Sequence, residues 1–413
     1  MAHNEEEDTP SDKSDKQILA DARECLEDYI SNEGSQRAQM LDDLRFCTLD
    51  QWPTDIRKER ESDVENGPRP CLTIDKINQY IVQVVNDLRQ GKPGINVRPQ
   101  DDAADIETAK VLKGIIRNIE DQSSADIAYA TAAESAVKIG VGYFRITTEY
   151  ADDESFDQDI FIKPIANAFS VYMAPHEMPD GSDCERAFIV TPLTDDDFRT
   201  FYPNAKHAHD DFAELEDMTR GYWRNEDMVT VVEEFLIEKT RETLYFLSDG
   251  TTVSKEEYDK WPANAGERPE KVDERMSIKR QLKWRKMTGV EVLEKRDLPG
   301  KYIPVVEVIG RESRVEGQRI LWGLVRPAKD SLRMYNYWAS TLTEKFGLAP
   351  KTPYIGAKGQ FENLEERWKR ANKTNFAYLE YNAIDVNGNA IPAPQRQGPT
   401  PMEAAYFHQM QVI

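Results

Sequence analysis

Apolar residues recur three and four positions apart from Thr73 to Leu88, where Ile77, Ile81, Val84, Val85 and Leu88 share one face of a predicted helix. Thr73 or Asp75 can cap its start, and Gly91 with Pro93 stops it. The same period predicts a helix over 105–120, through Ile106, Ala109, Leu112, Ile116 and Ile119, and an Ala-rich one over 126–139 that ends at Gly140 and Gly142. Upstream, Ile18, Leu19, Ala22, Leu26, Tyr29 and Ile30 predict a helix over 16–32. Ser35 then caps a second one, carrying Met40, Leu41, Leu44 and Phe46. The charged run 57–70, with Gly67, Pro68 and Pro70, reads as a connecting loop.

Downstream the period changes to two. Tyr143–Tyr150 and Ile160–Ile165 predict an antiparallel pair around an acidic loop, 151–159. Further strands are expected at 169–173, 186–193 and 228–239, and a hairpin turning at Asp249-Gly250. Thr194 caps a short helix opened by Asp195, Asp196 and Asp197. The stretch 275–286 alternates Ile278, Leu282 and Trp284 with six cations, Arg275, Lys279, Arg280, Lys283, Arg285 and Lys286, and contains no acid. It reads as a strand with one wet face. Strands at 290–293 and 302–309 follow, then a strong helix over 324–346 with Pro327 in its first turn. An extended segment at 351–355, a helix over 361–371, a strand at 376–381 and a Pro-rich loop over 391–401 lead to 402–413, the start of another helix.

Composition narrows the class without naming an activity. At 39% hydrophobic and 31% charged, 413 residues suffice for two or three domains with a real core. No run of about eighteen apolar residues is present to span a membrane, and the acidic N-terminus lacks the features of a signal peptide, which assigns an origin in the cytoplasm. Cys25, Cys47, Cys71 and Cys184 are widely spaced, as befits reduced thiols. The net charge of −22, from 75 acidic and 53 basic residues, argues against a protein that grips nucleic acid through phosphate contacts.

The chain holds no phosphate-binding Gly-rich loop, nucleophile elbow or HExxH motif, and no cofactor or metal site is expected. Consecutive acids such as Asp195–Asp197 point in different directions on a helix, and the His207-Ala208-His209 pair lacks a third ligand, so it reads as a solvated loop. The strand 275–286 is thus the clearest candidate surface, for an acidic partner or for phosphates, although charge on an edge strand also blocks stray pairing.

The ordered strings Arg69-Pro70-Cys71-Leu72-Thr73, Asp75–Ile81, Asn86–Pro93 and Ile95–Pro99, with Asp43-Leu44-Arg45-Phe46 and Gln51-Trp52 upstream, resemble the portal proteins of P22-type phages over about 36–402. The resemblance implies an α+β portal-type fold, with helical N-terminal and stem segments, an antiparallel wing sheet and a small α/β clip. On it, 1–16 is a disordered acidic tail, 17–270 the wing, 271–325 a basic clip-like β region, and 326–413 the stem helix with the start of a channel and crown region that is cut short. It implies a non-enzymatic ring of about twelve copies at one capsid vertex of the virion, assembled in the host cytoplasm. The implied partners are terminase, a tail adaptor, capsid and scaffolding proteins, and double-stranded DNA that passes through without sequence-specific contact; an acidic wall would repel that duplex rather than hold it. Arg326, Lys329, Arg333 and Lys345 on the stem helix become candidate DNA or subunit contacts. Two other readings remain: a metal-dependent nuclease or hydrolase around Asp195 and His207, and a scaffold or adaptor without a pore.

Overall fold

The computed structural model describes residues 14–62, 68–91, 94–99, 106–152, 154–205, 228–261, 268–348, 354–371, 376–384 and 388–396, side chains at 345–348 excepted. It is a mixed helix-and-sheet, α+β chain, dividing into one compact unit of residues 1–44 and 79–325 and a second of 45–78 and 326–413.

The first unit rests on helix α1 (Asp15–Cys47) as far as Leu44, and on an antiparallel sheet. Its strands are β3 (Val171–Met173), β4 (Arg186–Thr194), β5 (Met228–Leu247), β7 (Lys271–Met287) and β8 (Val292–Leu298), in that order, with β6 (Thr252–Ser254) added on β5 and followed by the short helix α7 (Lys255–Asp259). Alternation sends neighbouring residues to two cores. Phe188, Val190, Val232 and Met287 meet Ile18, Ala22 and Leu26 of α1 on one side. Ala187, Ile189, Phe235, Ile237 and Leu282 join Met40, Tyr143 and Val305 on the other.

A smaller sheet orders β2 (Gln158–Ile165), β1 (Val141–Tyr150) and β9 (Val305–Ile309), all antiparallel. The expected β1–β2 pair forms with Arg145 opposite Lys163. Helix α5 (Ala125–Ile139) buries Ala125, Ala128, Ala132 and Ala136 against this layer. So close an approach leaves no room for side chains opposite it: a Cβ on Gly142 would sit 2.0 Å from the Ala132 carbonyl oxygen, and one on Gly310 2.4 Å from that of Ala136. Helices α3 (Asn78–Gly91) and α4 (Ile106–Gln122) precede α5. β10 (Arg311–Val315) and β11 (Gln318–Trp322) form a hairpin turning at Glu316-Gly317, both at positive φ.

In the second unit, the extended segment before α3 is hydrogen-bonded to helix α8 (Val325–Leu348) by polar residues one turn apart. Ser340 Oγ accepts from the Leu72 amide at 2.8 Å, and Asn336 Oδ1 from the Ile74 amide at 3.0 Å. Asn336 in turn donates to Gln51 Oε1 at 2.6 Å, and the Trp52 indole donates to the Leu72 carbonyl at 3.0 Å. Helix α2 (Thr54–Glu61) adds an ion pair from Arg60 to Glu344 at 2.9 Å. Further on, β12 (Tyr354–Ile355) pairs with β13 (Gln395–Arg396), and α9 (Glu365–Arg370) sets Trp368 edge-on to Tyr354 and Phe361, 4.9 Å from each.

Several expectations are corrected. The first two predicted helices are one, because anchors on both sides of Gly34, Leu26 and Met40, outweigh the roughly 1 kcal/mol that a mid-helix glycine costs. The expected loop at 57–70 begins inside α2, where Arg57 pairs with Glu61 at 3.0 Å. Helix α3 starts at Asn78, not at Thr73, because Asp75 Oδ1 accepts from the Ile77 and Asn78 amides while Ile74 is bonded to α8. The helix expected over 361–371 is regular only at 365–370, and 376–381 forms no strand. The Pro-rich loop contributes β13. The boundary expected at 270/271 does not divide the chain, since β7 pairs along its length with β5 in one sheet. The stretches 1–13, 206–211 and 402–413, with the readings made there, lie outside the described residues.

Candidate partner-binding surface

Strand β7 has two regimes. Its C-terminal third lies inside the sheet, flanked by β5 and by β8 from Leu282 onwards. Beyond this, and beyond Leu236 where β4 ends, β5 and β7 continue as a two-stranded ribbon that, among the described residues, no strand but β6 joins, near its tip. Burial follows: 238–246 and 271–281 are exposed or half-buried, whereas the sheet half alternates with buried positions.

This divides the six cations of the predicted basic strand. Arg285 is buried and donates to Glu234 Oε2 at 3.1 Å and to Glu238 Oε1 at 3.2 Å. Lys283 meets Glu238 at 2.8 Å, and the Lys286 ammonium lies 5.4 Å from the Tyr202 ring centre. Arg275, Lys279 and Arg280 are on the ribbon, exposed, and meet no carboxylate among the described residues. The acids that complete the inner half were not singled out in the sequence, because they stand some fifty positions away on β5. Glu234 is fully buried between Arg285 and Arg186, whose Nε donates to it at 2.7 Å. Arg186 also reaches Asp21 at 3.2 Å and the Cys25 sulfur at 2.8 Å. Burial alone would lower the Arg186 pKa, but Glu234, Cys25 and Asp21 raise it above its ordinary value.

The candidate cations of α8 are also divided. Lys329 is buried and Arg326 half-buried. Arg333 donates to the Gln51 carbonyl at 3.3 Å and lies 5.7 Å from the Phe46 ring centre. Lys345 falls where the helix backbone alone is described.

A polar cluster that the sequence hid lies in a cleft of about 1100 Å³ in the first unit. Its Glu307, on β9, accepts from Arg319 Nη2 at 2.7 Å and from the Tyr143 hydroxyl at 3.3 Å, and lies 3.1 Å from His176 Nε2. Cys184 and Glu307 hold the His176 pKa up at about 10 against burial. Burial would raise the Glu307 pKa, but His176 and Arg319 bring it below its ordinary value. His176 stands alone in the sequence; only β-pairing brings Glu307 opposite Tyr143.

The remaining sequence candidates do not converge. Asp195, Asp196 and Asp197 open helix α6 (Asp195–Phe201), where the Thr194 hydroxyl accepts from the Asp197 amide at 3.2 Å and Asp195 faces Arg199 at 3.7 Å. Among the described residues no three His, Cys, Asp or Glu side chains come together as metal ligands, and no helix is long and apolar enough to cross a membrane. The arrangement is therefore that of internal ion networks with one cationic ribbon projecting from the sheet.

Comparison with known proteins agrees with the resemblance. The chain is 25% identical over 402 residues to a portal protein of Acyrthosiphon pisum secondary endosymbiont phage 1, a match that takes in 91% of this chain and 54% of that one. The chain thus spans about half the length of that curated relative. The family model of the phage P22-like portal protein matches residues 23–412, nearly the whole chain, which therefore belongs to the P22-like phage portal protein family.

Proposed function

We propose that this chain is the subunit of a ring of about twelve copies at one capsid vertex, through which duplex DNA is packaged and later ejected. The observation that carries this reading is the family match over residues 23–412. The ring acts by geometry: each copy presents two unlike faces to its neighbours, and terminase and then a tail adaptor dock on its rim. It belongs to the virion, is assembled in the host cytoplasm and catalyses no reaction. A net charge of −22 suits a wall past which phosphates slide, because repulsion leaves the duplex little to adhere to.

Within that ring the first unit serves as the wing. The small clip is better sought after α8, in the β12–α9–β13 segment, than at 271–325, since β7 and β8 share a sheet with β4 and β5. Helix α8 is then the stem segment leading into it, with Arg326, Lys329, Arg333 and Lys345 as its candidate contacts.

Light scattering on the purified chain tests the reading. A closed ring gives a mass many times that of the 47.4 kDa subunit. A mass of one subunit at every concentration overturns it.

A further inference from the structure

We propose that the loop joining β1 to β2 in one copy docks on the β5–β7 ribbon of the next, an inference that rests on the ring reading above. The loop's described residues 154–157 include Phe156, two positions before β2 and 94% exposed. A phenyl ring held in water on a hairpin is an unmet hydrophobic contact. Around it stand the exposed carboxylates of Glu154 and Asp157, and beneath it on the hairpin the apolar side chains of Tyr150 and Ile160 are also exposed.

The ribbon offers the complement. On one face of β7, Met276 and Ile278 are 67% and 62% exposed. Cross-strand register places Thr243 opposite Met276, with its hydroxyl 3.4 Å from the Met276 sulfur, and Arg241 opposite Ile278. Arg280 follows two residues along the same face. Arg241 and Arg280 are exposed and meet no carboxylate among the described residues. The result is an apolar floor with a flexible methionine, edged by two guanidinium groups, against an aromatic knob edged by two carboxylates. Tyr258 packs edge-on against Tyr245 at the tip of this face, 5.3 Å between ring centres, and leaves Met276 and Ile278 exposed; a two-stranded ribbon is only marginally stable in water, and a partner lying on these residues would extend the cover.

The two surfaces are different parts of one chain. Such a contact is head-to-tail and leaves one knob and one ribbon free in any open assembly, until closure into a ring satisfies both. A second copy is therefore the occupant that the geometry requires, because the same chain supplies both complementary surfaces.

Sedimentation velocity on three forms of the full chain tests this: the unmodified chain, Phe156→Asp, and Met276→Asp with Ile278→Asp. All substituted side chains are exposed, and an unaltered far-ultraviolet spectrum and melting temperature check that each variant folds. Each variant alone is expected to need at least about tenfold more protein to reach half-assembly. Mixed together, the two variants regain one intact contact per pair and form a one-to-one dimer that grows no further. Arg241→Glu with Arg280→Glu weakens assembly similarly, and adding Glu154→Arg with Asp157→Arg in the same chain restores it. If Phe156→Asp assembles as readily as the unmodified chain, this interface is overturned and the ring stands. If the unmodified chain sediments as a single subunit at every concentration, the ring reading falls as well.

Discussion

Glu234 shows what a single buried carboxylate does in this chain. It is wholly enclosed and holds Arg186 and Arg285 on either side, so removing it takes from two buried guanidinium groups the carboxylate they share and leaves them facing each other with only Asp21 and Glu238 at their outer ends. Glu234→Ala is expected to destabilise the fold by about 3–5 kcal/mol in urea unfolding. Lys279→Ala, on the exposed ribbon, should change stability by no more than about 0.5 kcal/mol. Equal effects at the two positions would contradict the division of the basic strand drawn above.

The His176–Glu307 pair carries its own pH signature. The folded pKa of His176 lies near 10, above the ordinary 6.5, so the stability it contributes is complete below pH 6.5 and is lost as pH rises towards 10. The folded pKa of Glu307 is instead below its ordinary 4.5, so its contribution is present above that value and is lost as the solution is acidified through the folded pKa. The His176 ring resonances should therefore not titrate between pH 6 and 8. A midpoint near pH 6.5 would mean that Nε2 accepts from Arg319 Nη1, 2.9 Å away, rather than donating to Glu307.

At the scale of elements, Gly142 tests the helix-to-sheet contact. A Cβ there would meet the Ala132 carbonyl at 2.0 Å, backbone against backbone, with no side chain able to swing away. Gly142→Ala is expected to cost about 1–3 kcal/mol and to lower the melting temperature, whereas Gly114→Ala, in α4 with open space around it, should raise stability slightly. Similar melting temperatures for both variants would show that α5 does not approach β1 this closely.

Much of this scale was legible in the sequence. The alternation from Tyr143 to Ile165 gave the β1–β2 pair, and Asp249-Gly250 gave the turn that brings β6 back on β5. What escaped were decisions made by distant contacts. Thr73 stands at the start of a helical pattern, yet hydrogen bonds from the flanking Leu72 and Ile74 amides to Ser340 and Asn336, more than two hundred residues away, keep that segment extended. The basic strand was visible as a run of cations, but which of them face water depended on Glu234 and Glu238 of β5, and on where β4 and β8 stop pairing. Glu307, His176 and Arg319 share no local pattern at all; the resemblance, carried by strings such as Arg69–Thr73, was blind to them.

For the whole molecule, the charge balance has a measurable consequence. A chain with 75 acidic against 53 basic residues should bind duplex DNA only weakly at physiological salt. Fluorescence anisotropy with a labelled duplex is expected to show no saturation below about micromolar protein at about 0.15 M salt. Nanomolar binding would contradict a wall that lets the duplex slide.

The central claim is that copies of this chain close around a hole. Negative-stain electron microscopy of the purified chain asks this directly. End-on particles should be closed rings with a stain-filled centre and a constant number of subunits from one ring to the next. Compact single subunits or open chains of variable length, with no closed ring at any protein concentration, would contradict it.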